Sequence, residues 1–169
     1  ADNKDVVFSS RKQADGKWAK PAVAEPSLSL NDNYNYLEYY SDSFILKGGV
    51  AYYKNTTETG FEFLENKNGS YQTLQPLKIA AYNNYEKNAD LTMSNDGKIL
   101  IMGIETDFIQ GGTDLYFANR KEDGTYGLLQ NMGKVINSAA DEGMPQLLSD
   151  TKTLLFSSIG FSSYGNYDL

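Results

Sequence analysis

The sequence predicts an all-β fold of the propeller kind, with four short antiparallel strands to a repeat and about three repeats in 169 residues. A strand-turn-strand pattern recurs, and the aromatic residues that follow its turn stand at 18, 71 and 126, spaced 53 and 55 residues apart. Around them the side chains alternate with the period of two that belongs to strands, and Asp-Gly, Asn-Gly and Gly-Gly pairs sit where hairpins reverse. The 13 tyrosines and 15 glycines beside four prolines suit many short strands joined by tight turns.

The repeats run in order along the chain. The first, approximately 5–60, opens on Asp5-Val6-Val7-Phe8-Ser9-Ser10-Arg11-Lys12, turns at Asp15-Gly16-Lys17-Trp18 and diverges after Pro26. The second, 61–113, is a weaker copy: Phe61-Glu62-Phe63-Leu64-Glu65-Asn66-Lys67, then Asn68-Gly69-Ser70-Tyr71. The third, 114–167, is the clearest, with Asp114 to Lys121 followed by Asp123-Gly124-Thr125-Tyr126 and strands expected near 114–121, 125–132, 144–149 and 153–158. In the second halves, Ser94 to Met102 matches Ser149 to Ser157, and Leu46 to Tyr53 is a degraded copy. Gly165-Asn166-Tyr167-Asp168-Leu169 repeats Gly111-Gly112-Thr113-Asp114-Leu115, so a further repeat starts at 168–169. The one helical candidate, Ser138 to Glu142, is too short for more than a turn. Propellers typically carry four to eight blades, and an open array exposes the apolar faces of its end repeats, so three blades call for more. Neighbouring sequence or a second copy, making a six-bladed ring, is the expected supply.

Composition excludes several classes of chemistry. A formal charge of -7 disfavours nucleic-acid or anionic-membrane surfaces, which need clustered Lys and Arg. The chain has no cysteine and no histidine, so disulfides, thiolate metal sites, Cys nucleophiles and a Ser-His-Asp triad cannot be built from it. No apolar run is long enough for a spanning helix, and Ala1-Asp2-Asn3-Lys4-Asp5 has no signal-peptide core. No catalytic residue and no cofactor are expected.

The third repeat, from Asp114-Leu115-Tyr116-Phe117 through Asn131-Met132-Gly133, Asn137-Ser138-Ala139-Ala140-Asp141-Glu142-Gly143-Met144-Pro145, Ser149-Asp150 and Leu155-Phe156-Ser157-Ser158 to Tyr167-Asp168-Leu169, closely resembles the WD40-like propeller repeat called PD40. That repeat is shared by the TolB propeller and, in the Asn-x-x-x-Asp-Glu-Gly-x-Pro form, by OmpA-family envelope proteins of the Bacteroidota. The resemblance spans the chain but is specific only in its last third. It implies a periplasmic, outer-membrane-associated protein with envelope proteins as partners, of the kind found in OmpA-like or type IX secretion and gliding assemblies. The expected role is a non-catalytic scaffold for protein interaction.

Two groups of residues are candidate sites. Tyr34, Tyr36, Tyr39 and Tyr40 offer contact area at low entropic cost for protein or carbohydrate, against the reading that alternate tyrosines pack between blades. Asp141 and Glu142, with Asn137, form an oxygen-rich loop that suits partner binding or calcium, although the EF-hand spacing is missing. A loop fixing the blade-to-blade connection is the weightier reading. Asp5, Asp114 and Asp168 open strands and read as caps of turn amides. Trp18, Tyr71 and Tyr126 occupy equivalent positions and read as architecture. A carbohydrate- or peptidoglycan-binding propeller is the alternative function. A glycoside hydrolase is weaker, because no acid stands in an apolar run that would raise its pKa.

Overall fold

The computed structural model describes residues 6–24, 28, 36–41, 43–48, 60–86, 89–107 and 109–161. It divides into two compact parts, residues 1–56 with 60–76 and residues 57–59 with 77–169. Every named element is a strand, so the fold is all-β, and no sheet among the described strands closes on itself.

The first part holds β1 (Phe8–Ser9), β2 (Ala22–Val23), β3 (Tyr36–Tyr40), β4 (Phe44–Gly48), β5 (Glu62–Lys67) and β6 (Ser70–Pro76). Strands β3 to β6 form one antiparallel meander in chain order, and β1 pairs with β2 alone among the described strands. Phe63 and Leu64, neighbours on opposite faces of β5, are both buried, so this sheet is covered on two sides there. Phe63 stacks on Phe44 with ring centroids 5.0 Å apart. Leu64 joins Ala24, Leu28 and Ile45 in a core against which Val7 and Tyr71 pack.

The second part holds β7 (Ile79–Ala80), β8 (Asp90–Met93), β9 (Ile99–Ile104), β10 (Asp114–Asn119), β11 (Tyr126–Leu128), β12 (Gln130–Asn131), β13 (Glu142–Leu147) and β14 (Leu154–Ser158). Its main sheet has the antiparallel order β8-β9-β10-β12, while β11 pairs in parallel with β7 and β13 pairs with β14. Residues Leu100 to Ile104 of β9 are all buried. Coverage of both faces explains why Ile99-Leu100-Ile101-Met102-Gly103-Ile104 shows no polar alternation. β13 lies against β8: the amide of Met144 donates to Asp90 Oδ2 at 2.9 Å and that of Leu147 to Thr92 Oγ1 at 3.2 Å.

Strand pairing repeats at the level of individual bonds. Phe8 faces Val23 and Ser9 faces Ala22, just as Tyr116 faces Asn131 and Phe117 faces Gln130, each partner 108 residues on. The bridges Lys12 to Trp18 and Arg120 to Tyr126 keep that offset. So do the bonds from the Ala24 amide to the Val7 carbonyl and from the Met132 amide to the Leu115 carbonyl. Gly16 and Gly124 close equivalent three-residue loops at φ 83° and 84°. The second repeat turns instead in two residues, Asn68 and Gly69, both at positive φ, between the facing pair Lys67 and Ser70. Its hairpin is one residue shorter, which accounts for aromatic spacings of 53 and 55 rather than an even 54.

Three expectations are refined. The strands of the third repeat fall in three sheets: β10 and β12 share one with β8 and β9, β11 pairs with β7, and β13 and β14 pair with each other. The strand expected at 125–132 is broken: the Tyr126 amide donates to the Lys78 carbonyl at 2.8 Å, drawing β11 to β7 before the chain returns to β10 as β12. The matching of Ser94 with Ser149 is off by one. The amides of Ser94 and Gly97 bond the Ile99 and Ser94 carbonyls as those of Leu148 and Thr151 bond Thr153 and Leu148, and Gly97 and Thr151 both have positive φ, 66° and 56°. The offset is therefore 54, which places Asp96 on Asp150.

Candidate interaction site

The loop joining β12 to β13, which carries the Asn-x-x-x-Asp-Glu-Gly-x-Pro segment, is built around two buried side chains. Asn137 is 1% exposed. Its Oδ1 accepts the Leu115 amide at 2.8 Å while its Nδ2 donates to the Leu115 carbonyl at 3.0 Å, so the side-chain amide pairs with the backbone of β10 as a neighbouring strand does. Nδ2 also donates to Asn131 Oδ1 at 2.9 Å. Glu142 is fully buried. Its Oε2 accepts the Ser138 amide at 2.9 Å, and its Oε1 accepts the hydroxyls of Ser138 at 2.5 Å and Ser158 at 2.7 Å. This carboxyl ties the loop to β14 and supplies what its own burial requires.

Asp141 grips the loop before β10. Its Oδ1 accepts the Thr113 amide at 3.0 Å, and the Glu142 amide donates to the Thr113 carbonyl at 2.8 Å. Gly111 and Gly112 pass so close that a Cβ on the first would overlap the Ala140 backbone and one on the second would overlap Asp141 Oδ1. Only glycine permits that approach. Asp114, fully buried, caps the same turn: Oδ2 accepts the Gln110 amide at 2.7 Å and Asn131 Nδ2 at 2.8 Å, and Oδ1 accepts the Gly111 amide at 3.3 Å. Asn137, Asp141 and Glu142 thus meet in one loop, where their oxygens accept bonds from the protein's own amides and hydroxyls. Among the described residues no cluster of three or more acidic side chains is placed to hold a metal ion.

Beside this loop lies an open concavity of about 470 Å³ lined by Gln110, Lys134, Asn137, Ser138 and Ala139. It offers the Lys134 ammonium and the Gln110 side-chain amide, a lining suited to a polar surface group. Gln110 and Lys134 were not legible as partners because their 24-residue separation has no periodic meaning; only the fold of the β12 to β13 loop brings them together.

Of the tyrosine group, Tyr39 and Tyr40 differ in exposure. Tyr34 lies outside the described residues; Tyr36 opens β3; Tyr39 is buried; Tyr40 is 59% exposed, its ring centroid 6.0 Å from that of Tyr71. Asp5 and Asp168 also lie outside the described residues. Of the equivalent aromatics, the Tyr126 hydroxyl donates to the Gly97 carbonyl at 2.6 Å and the Tyr71 hydroxyl to the Ser41 carbonyl at 2.9 Å. Each reaches from the hairpin that opens its repeat to the turn of the hairpin before it, clamping the two together. Burial pushes the Tyr126 hydroxyl up to about 12. Trp18, by contrast, is 69% exposed. Its hairpin, β1 with β2, has no such second hairpin among the described strands.

The turns carry a second electrostatic signature. The Ser94 hydroxyl, with the Lys98 amide, holds the Asp96 carboxyl below its ordinary value, as the Thr125 and Thr153 hydroxyls with nearby amides hold those of Asp123 and Asp150. These are turn caps at the tips of hairpins. Compared with family models, with curated proteins and with solved structures, the chain matches none.

Proposed function

We propose that the chain is a non-catalytic propeller scaffold of the PD40, WD40-like kind, binding protein partners in the bacterial cell envelope through loops at one rim. The observation that carries the propeller reading is the reuse of one hairpin pairing at a 108-residue offset. Each four-stranded meander joins the second hairpin of one repeat to the first of the next, and β13 of the following sheet lies against β8. Radial repetition of such sheets is how a propeller protects its edges. Periplasmic, outer-membrane-associated placement and partners of the OmpA-like or secretion-assembly class follow from the Asn137 to Pro145 pattern.

The non-catalytic reading is supported by the two buried acids. Asp114 and Glu142 both accept bonds from the loops they organise, the arrangement of a structural carboxyl rather than of a general acid held in an apolar pocket. The test is photo-cross-linking from position 135, where Val135 is 87% exposed beside the concavity. Discrete adducts with envelope proteins in a periplasmic extract, together with no hydrolysis of a polysaccharide panel, are expected. Turnover of any glycan, or adducts no different from those of a probe at an unrelated surface position, overturns the proposal.

The second reading, carbohydrate or peptidoglycan-fragment binding, rests on Tyr40, the exposed member of the tyrosine group. Millimolar muropeptide titrations with the protein and Tyr40→Ala separate it from the first.

A further inference from the structure

Hairpin turns open the backbone to chemistry as well as to solvent, and the four Asp-Gly or Asn-Gly turns of this chain are not alike. In Asp15-Gly16, Asp96-Gly97 and Asp123-Gly124 the glycine amide donates to a main-chain carbonyl, that of Gln13 at 3.0 Å, Ser94 at 2.8 Å and Lys121 at 3.0 Å. The carboxyl before each glycine is fastened too: Asp15 Oδ1 accepts the Lys17 amide at 3.0 Å, Asp96 Oδ1 the Ser94 hydroxyl at 2.6 Å and Asp123 Oδ1 the Thr125 hydroxyl at 2.7 Å. Asn68-Gly69, the one Asn-Gly pair in the sequence, differs on both counts. Its glycine amide donates to a side chain, Asn66 Oδ1, at 2.8 Å, and the exposed Asn68 carboxamide has no hydrogen bond among the described residues. Glycine has no side chain to hinder its own nitrogen, and nothing lies within 4 Å of where a Cβ on Gly69 would stand.

We infer that Asn68 is a spontaneous modification site, where water converts the asparagine to aspartate or isoaspartate, and that the Asn66 side chain is the brake on the reaction. The Gly69 nitrogen gives up its proton and bonds to Asn68 Cγ, while the Cγ–Nδ2 bond breaks and its electron pair leaves on the nitrogen, which takes up a proton and departs as ammonia. Water then opens the cyclic imide. Addition at Cγ yields aspartate; addition at the main-chain carbonyl carbon yields isoaspartate, with the chain now running through Cβ and Cγ. Nothing is oxidised or reduced, and the sum is water in and ammonia out. Closure needs the Gly69 nitrogen released from its acceptor. A main-chain carbonyl releases a turn amide only if the turn itself opens, whereas Asn66 needs only a side-chain rotation, at an exposed bond for which water competes. Asn137-Ser138 is the opposite case: Asn137 is 1% exposed with both ends of its carboxamide bonded, and the Ser138 amide donates to buried Glu142. The two products differ in structure. Asn68 and Gly69 turn at φ 57° and 88°, next to the facing pairs Lys67 with Ser70 and Asn66 with Tyr71. Aspartate tolerates that conformation. Isoaspartate adds a backbone atom to a two-residue turn and so disturbs the register beside Tyr71, whose hydroxyl donates to the Ser41 carbonyl at 2.9 Å. This goes beyond the scaffold reading, because the reaction needs no partner but water.

The test ages the full chain in mildly alkaline buffer made with heavy-oxygen water and maps its peptides by mass spectrometry. Asn68 is expected to convert ahead of every other asparagine, gaining a heavy oxygen at that residue, with isoaspartate among the products. Asn66→Ala should speed the conversion roughly twofold to tenfold, the factor that an ordinary net hydrogen bond represents. Asn66→Asp, whose carboxylate is the stronger acceptor for the Gly69 amide, should slow it. The aged parent should show a Tm lower by roughly 2–4 °C, the scale of one lost interaction in a chain of this length. Asn68→Gly, which suits the positive φ and lacks the carboxamide, should age without that loss. Should Asn66→Ala alter the far-UV circular dichroism, Asn66→Asp carries the test of the brake. Conversion of another asparagine first, a rate that neither Asn66 variant moves, or a fall in Tm on ageing that Asn68→Gly shares with the parent overturns the inference.

Discussion

Replacing Tyr126 by phenylalanine removes one oxygen and keeps the ring, so it isolates the clamp between the two hairpins of the complete sheet. The ring is 1% exposed and its hydroxyl donates to the Gly97 carbonyl at 2.6 Å. In the variant that carbonyl loses its side-chain donor where water has little access, and leaving a buried acceptor unsatisfied costs about 1–3 kcal/mol. For a chain of this length the loss corresponds to a fall in Tm of roughly 2–12 °C. Urea denaturation followed by circular dichroism measures it, with the m-value unchanged because the ring stays buried. Tyr71→Phe is the internal control: its hydroxyl makes the equivalent bond to the Ser41 carbonyl at 2.9 Å but is only part-buried, so water substitutes and the loss is smaller. The pH dependence adds an independent readout. The folded Tyr126 hydroxyl is raised to about 12 from an ordinary 10.0. Its contribution is therefore fully present below pH 10 and is lost as pH rises through 12, where the unfolded chain has already given up its proton. Tyr126→Phe should flatten the alkaline fall in stability. A variant within about 0.3 kcal/mol of the parent, or one with an unchanged alkaline slope, refutes the clamp.

Asn137→Asp puts an acceptor against the Leu115 carbonyl in place of the Nδ2 donor, and by the scale of buried hydrogen-bond loss it should destabilise by about 2–4 kcal/mol in urea melts. Glu142→Ala strips three donors of their acceptor; about 2–4 kcal/mol is expected, and Ser158→Ala, which removes one donor, should cost less. Gly112→Ala drives a Cβ into Asp141 Oδ1 and should lower Tm; pairing it with Asp141→Gly should recover part of the loss, and full additivity in this double-mutant cycle would contradict the contact. Carboxyl titration by NMR should place Asp150 below 3.8, with Thr153→Ala moving it upward; its contribution to stability is present above the unfolded value and is lost as pH falls through the folded one.

Period-two alternation and Asp-Gly or Asn-Gly turns are local properties, and the sequence by itself determined the all-β class, the approximate strands and the repeat. The turn at Asp123-Gly124 needs a residue at positive φ and the sequence supplies one, so that hairpin is legible without any tertiary contact. The role of Asp114 as a cap followed from its residue type and its place after a turn. Which hairpins share a sheet was decided only by tertiary structure, since β9 pairs with β10 of the following repeat, a choice that the alternation within either strand does not specify. The one-residue difference between the Ser94 and Leu148 turns needed φ angles to resolve, because serine occurs at both 94 and 149 and letter matching prefers the wrong one. The acidic loop shows the same division. Asp141 and Glu142 were visible as an oxygen-rich pair, but burial and the donors converging from Thr113, Ser138 and Ser158 make them internal fasteners. Likewise Trp18, Tyr71 and Tyr126 are one position in sequence, yet only the latter two donate to the turn of a second hairpin, and Trp18 stays exposed on a hairpin that has no such neighbour among the described strands. An aromatic residue is buried by the partner brought against it, and that partner is chosen by the packing of the whole chain.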